Sequence, residues 1–269
     1  MDKFTYFWCL IIVATTFFFI GVYRNFAMKI GYILWVNNKN REAETRQNWL
    51  ENFKRLLPSQ KTIIDEAILQ RRITQRSDFL WTRHSIIFFG FVVLFALDLF
   101  LTFAGHYAHH YFHFDYFLNG HGKGLLKFGM ELSGAALFTG LSLGIFHRII
   151  YADTEKTYVD LNLLCLLWLV VTTGFAAEAF RLAAEPNDVL FSFSFIGGPI
   201  AKRLITIPWH WESLAVWMWC VHATSTAAFF AYIPFSKFVH ILAAPLGRSI
   251  TQNGDYGIQK RQKISEGLL

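Results

Sequence analysis

The run HSIIFFGFVVLFALDLFLTFA, residues 84–104, decides the fold. It holds a single formally charged side chain, Asp98, among aromatic and aliphatic residues. A bilayer core of about 30 Å is crossed by a helix of about 20 apolar residues, whereas a barrel strand needs about 10. In hydrocarbon a backbone satisfies its own polar groups only as a helix or in a closed barrel. The length of this run selects the helix.

Four further runs of the same kind lie at about 4–23, 130–151, 159–183 and 213–240. The expected fold class is therefore all-α: an integral membrane bundle of five transmembrane helices, forming one domain over 1–269. Composition agrees. Of the 269 residues 54% are hydrophobic, 18% aromatic and 16% charged, against about 25% charged in soluble domains. The pI near 9.2 does not signal nucleic acid, because the basic residues crowd beside apolar runs, where they set topology. Cys9, Cys165 and Cys220 sit inside apolar runs and read as packing residues. No CxxCH is present for covalent haem attachment, and no CxxC pair for a cluster or zinc site. The first run lacks a basic leader and a small-residue cleavage site, and reads as a retained helix.

Lys and Arg orient the bundle. Residues 24–83 contain 12 of them, 105–127 only Lys123 and Lys127, and the tail has Arg248, Lys260, Arg261 and Lys263. Positive-inside reasoning puts the loop at about 24–83 and the C-terminus in the cytoplasm, and the N-terminus outside. Lys202 and Arg203 oppose this and are outnumbered. The loop carries two apolar stripes, Leu50, Phe53, Leu56, Leu57 and then Ile63, Ile64, Ala67, Ile68, broken by Pro58. It reads either as a helical pair on the lipid surface or as a platform for a soluble partner.

Histidine is a usual axial ligand of haem iron, and polar side chains inside a membrane commonly have a job. His222 and His240 are 18 residues apart, five whole turns or about 27 Å on a continuous helix. Both then face one side, near opposite membrane surfaces. His84 opens the second span at the depth of His240, since the second and fifth spans run in opposite directions, and the two can grip one iron. The depth of His222 on the second span is near Thr102; His106 is the favoured second ligand there, with His109 or His110 next. Alternatively GHYAHHYFHF, residues 105–114, is an exposed metal or proton-handling patch. His147, beside Arg148, either meets a haem propionate or snorkels. Gly90, Gly134, Gly140 and Gly144 permit close approach of a porphyrin or of a helix.

CVHATSTAAFFAYIPFSKFVHILAAPL, residues 220–246, resembles the last span of the gamma subunit in respiratory nitrate reductases. The shared pattern is His222, Pro234, Phe235, Ser236, Lys237, His240 and Pro245. The longer first loop and the stretch 71–91 look closer to the cytochromes b of heterodisulfide-reductase-like and sulfite-reduction complexes. The resemblance implies haem b bridging the second and fifth spans, with His84 and His240 matching the inner pair and His222 the outer ligand. Where that gamma subunit has a second histidine on the second span, this chain has Leu94, so one haem or two are compatible with it. It further implies quinol or menaquinol chemistry near the outer haem. Lys127 is then the candidate donor to the quinone, and Asp98 and Glu131 are candidate proton relays.

The function so implied is a b-type cytochrome subunit in the cell's inner (plasma) membrane. It moves electrons between quinone and a cytoplasmic iron–sulfur subunit, in either direction, with membrane lipid as solvent and no nucleic acid. The alternatives are a haem-free transporter or proton channel using Asp98, Glu131, Glu178 and the histidines, or a passive membrane anchor.

Overall fold

The computed structural model describes residues 3–27, 78–105, 109–113, 115–150 and 158–236. Among these residues every regular element is helical. The helices are α1 (Lys3–Val22), α2 (Asp78–Phe103), α3 (His109–Phe112), α4 (Gly120–Ile150), α5 (Tyr158–Ala184), α6 (Gly197–Leu204) and α7 (Trp211–Tyr232). Five of them, α1, α2, α4, α5 and α7, are long and apolar enough to cross a membrane. Large apolar side chains stand open on their outer faces, among them Phe19, Leu99, Phe146 and Trp217. Such faces suit hydrocarbon and would be a liability in water. The chain is a multi-pass membrane protein.

Two boundaries differ from the sequence expectation. α4 starts at Gly120, ten positions before the apolar run, because one face of its first turns packs inside the protein: Gly122, Gly124 and Leu126 are buried while His121 and Lys123 stay exposed. At the other end of the chain, α7 stops at Tyr232 and gives way to a 3₁₀ turn, Ile233–Phe235, followed by an extended Ser236. Pro234 accounts for this. Its ring removes a backbone donor and clashes with the carbonyl one turn back. The reasoning that set His222 and His240 five turns apart on one continuous helix therefore does not carry past Pro234.

The chain divides into two units, Met1–Thr15 with Thr82–Ala231, and Thr16–Trp81 with Tyr232–Leu269. In the first, α2, α4, α5 and α7 pack in succession. α2 and α4 touch almost backbone to backbone. A Cβ on Gly90 would come within 3.0 Å of the Leu137 amide nitrogen, and one on Gly140 within 2.8 Å of Ile87 Cγ1. Small residues at such crossings substitute for the hydrophobic driving force that lipid does not supply. At Gly90 and Gly140 the close neighbour is thus a helix. α4 meets α5 through Trp168 Nε1, which donates to Ser142 Oγ at 3.0 Å. α7 meets α2 through the edge-to-face rings of Phe91 and Phe229, 5.9 Å apart. α1 lies against α7, where the Tyr6 and Thr224 hydroxyls are 2.5 Å apart. α6 is held against the end of α5 by the cluster Leu182, Ala183, Leu190 and Ala201, which Trp211 at the start of α7 joins.

In the second unit, the described residues bring the end of α1 to the 3₁₀ turn. Asn25 Nδ2 donates to the Pro234 carbonyl at 2.8 Å. Gly21 has no side chain to spare: a Cβ there would lie 2.6 Å from Pro234 Cβ.

Candidate functional site

His222 stands midway along α7, half-buried, and its ring lies against α5. Nδ1 is 3.1 Å from Thr173 Oγ1. Gly174 makes this approach possible, since a Cβ there would come within 3.2 Å of His222 Cε1. Thr173 Oγ1 is also 3.1 Å from Ser225 Oγ. The imidazole is therefore locked from the Nδ1 side. That is the arrangement a metal-bound histidine needs, because a partner on the second nitrogen fixes tautomer and ring direction. The donor set at His222 thus fits an axial ligand.

Asp98 on α2 acts electrostatically on His222. Asp98 and Phe91 lie about two turns apart on α2, as do His222 and Phe229 on α7. The Phe91–Phe229 contact thus sets the antiparallel register. The α2 position level with His222 is Asp98, one turn short of the Thr102 expected from span lengths. Thr102 instead donates to the Asp98 carbonyl at 2.9 Å.

His84 is half-buried near the start of α2, about 21 Å along the helix axis from Asp98. Near it the guanidinium of Arg83 interacts with that of Arg148, in the last turn of α4 with His147. The first unit therefore has imidazoles at two levels, carried by adjacent antiparallel helices. His240 and His106 lie outside the described residues, as does the side chain of His109. His110 is exposed on α3, and His121 packs edge-on against Phe193.

The three residues expected to handle protons and quinone are not one cluster. Lys127 sits two turns into α4, and its Nζ is 2.9 Å from Glu178 Oε2 on α5. Glu178 also meets Arg181 Nη2 at 3.2 Å. Arg181 continues to Asp188 at 2.6 Å and to Glu185 at 3.4 Å. Lys127 is also near enough to His222 to influence it electrostatically. Glu131, 2% exposed, turns elsewhere. It accepts from the Ser194 hydroxyl, the Ile196 amide at 2.9 Å and the Gly197 amide at 3.1 Å. It thus satisfies orphan donors at the start of α6, where a carboxylate also complements the helix dipole.

Asp188 lies beyond the end of α5. Burial pushes its carboxyl upward, but the Leu190 amide, the Arg181 guanidinium and the nearby Lys123 outweigh that and hold it below the usual carboxylate range.

Sequence reasoning did not find Thr173, Gly174 or Arg181. Glu178 had a signal, an ionisable group in an apolar run, but its partner Lys127 is on another helix. For Thr173 no local signal exists, because hydroxyls in membrane helices usually bond their own backbone, as Thr173 also does to Leu169 at 2.8 Å.

The sequence matches the nitrate reductase gamma subunit family over residues 72–252. It is 26% identical to a dihydromethanophenazine:CoB–CoM heterodisulfide reductase subunit of Methanosarcina acetivorans, over 74% of this chain and 68% of that one. It is also 26% identical to the corresponding protein of Methanosarcina barkeri, which bears the same name, over 72% of this chain and 66% of that one. The matched region thus spans about two thirds of the length of these relatives. No solved structure matches the chain.

Proposed function

The chain belongs to the nitrate reductase gamma subunit family, and we propose from this that it is the b-type cytochrome subunit of a membrane redox complex. The observation that carries the reading is the pairing of α2 with α7. These two antiparallel spans are in ring contact at Phe91 and Phe229 and present His84 and His222 at separate levels. Bound haem b supplies one-electron transfer between a two-electron carrier and a one-electron partner.

His84, with His240, holds the haem at the Arg83–Arg148 end. His222, oriented by Thr173, holds one at the Asp98 level; His106, the second ligand favoured by the sequence, lies about 12 Å further along if α2 continues, so the partner at that level is left open. Lys127 gives a hydrogen bond to an acceptor atom on the ring of a lipid-soluble carrier of quinone or menaquinone type. The name of the Methanosarcina relatives carries dihydromethanophenazine in that place. Asp98 takes part in proton exchange beside it. Glu131 holds α6, which leaves the relay to Asp98.

The loop at about 24–83 and the C-terminus face the cytoplasm, where an iron–sulfur subunit docks, and the N-terminus faces outward. The membrane is the plasma (inner) membrane.

A pyridine haemochrome assay on purified full-length protein tests this. One or two haems b per chain are expected, and His84→Ala and His240→Ala should each remove one haem. A protein with no Soret band after expression with ample haem would instead support a transporter or channel. Electron transfer unimpaired in His240→Ala would reduce the chain to an anchor.

A further inference from the structure

Lys127 on α4 and Glu178 on α5 meet at 2.9 Å with side chains 19% and 11% exposed. Neither carboxylate oxygen of Glu178 is idle: Oε2 faces Lys127, while Oε1 is 3.2 Å from Arg181 Nη2. Arg181 is tied in turn to Asp188 at 2.6 Å. Gly197 packs close to the Glu178 stem, where a Cβ would come within 2.9 Å of Cγ. Glu178 is therefore a fixed anion. Lys127, by contrast, has a four-carbon stem with rotatable bonds and an ammonium with three donors. In apolar surroundings that ammonium stays with its counter-charge, since a buried charge without a partner is costly. One of its three N–H bonds is used at Glu178. The contact at Nζ leaves two further N–H bonds that Glu178 does not take.

We propose that Glu178 is a positioning residue for the lipid-soluble carrier: it holds the Lys127 ammonium so that a second N–H meets the ring acceptor atom of a quinone-type ligand. This rests on the reading that Lys127 contacts the carrier. Glu178 acts only through Lys127, so the two residues behave as one unit in binding.

The test is a double-variant cycle on the purified full-length protein, titrated with 2-heptyl-4-hydroxyquinoline N-oxide, a quinol analogue, and followed by its fluorescence. Lys127→Gln and Glu178→Gln should each weaken binding on the order of tenfold, the scale of one charge-assisted hydrogen bond. The double variant should bind no worse than Lys127→Gln alone, and Glu178→Asp should keep most of the affinity. Losses that add in the double variant overturn the proposal, as does undiminished binding by Glu178→Gln. If Glu178→Gln does not fold with its unpaired ammonium, the neutral double variant against Lys127→Gln still decides: a further loss in the double overturns the role of Glu178. Undiminished binding by Lys127→Gln overturns the carrier contact itself and this role with it, while the haem assay stands apart from both.

Discussion

The hydroxyl of Thr173 lies 3.1 Å from Nδ1 of His222, so the ring that α7 offers to the bundle is set by a residue on α5. The same hydroxyl is 3.1 Å from Ser225 Oγ, one turn along from His222. Three polar side chains from two spans thus form one small network amid apolar neighbours. The Thr173 contact sets the direction of the imidazole.

Thr173→Val keeps the shape of the side chain and removes that hydrogen bond. Partners behind a metal ligand typically account for about 10–100-fold in affinity. The haem held by His222 should therefore be lost first on dilution or on competition with a haem acceptor protein, while the haem at His84 stays. Haem retention followed by optical spectra checks this. Equal retention in variant and parent would show that Thr173 does not support a ligand.

Glu131 makes three acceptor contacts to the segment that opens α6. Glu131→Ala leaves one buried and one half-buried backbone amide and a serine hydroxyl without their acceptor. Bonds to a charged group contribute about 1.5–3 kcal/mol each, so local stability should fall by about 3 kcal/mol or more. Hydrogen exchange over residues 194–204 should speed up greatly, with the centres of α4 and α5 unchanged. Unaltered exchange would contradict the anchoring role.

Asp188 is the place where pH should act on the loop between α5 and α6. Its folded-state pKa is depressed, against the effect of burial, by the Leu190 amide, Arg181 and Lys123. A depressed acid contributes stability that is fully present above its unfolded value, about 3.9, and is lost as pH falls through the folded value. Asp188→Asn should therefore loosen residues 188–193 at neutral pH. The gap between variant and parent should close below about pH 4. Limited proteolysis or exchange across that range reads it directly. A gap that widens with acid would reverse the sign and refute the assignment.

How much of this was legible in the sequence follows from which forces are local. The five spans were, since each lipid-crossing helix must be apolar along its own length, as residues 84–104 are. The end of α7 was legible in principle as well: Pro234 stands inside the quoted motif, and a proline stops the helix from within. The level of His222 was not. Span lengths put it at Thr102, and only the contact of Phe91 with Phe229 set the register that brings Asp98 there. Lys127 and Glu131 both looked like residues for proton and quinone chemistry, one turn apart on the same helix. Packing separated them, turning Lys127 to Glu178 on α5 and Glu131 to the start of α6.

By itself, then, the sequence determined the class of solvent, the helical spans, and histidines as candidate iron ligands, because each depends on one segment's own composition. The tertiary structure alone decided which α5 hydroxyl holds His222, which carboxylate holds Lys127, and which acid is spent on a helix end. Those pairings join residues far apart in the chain. Apolar runs of similar composition do not specify which faces will meet; close contacts such as Gly90 against Leu137 do.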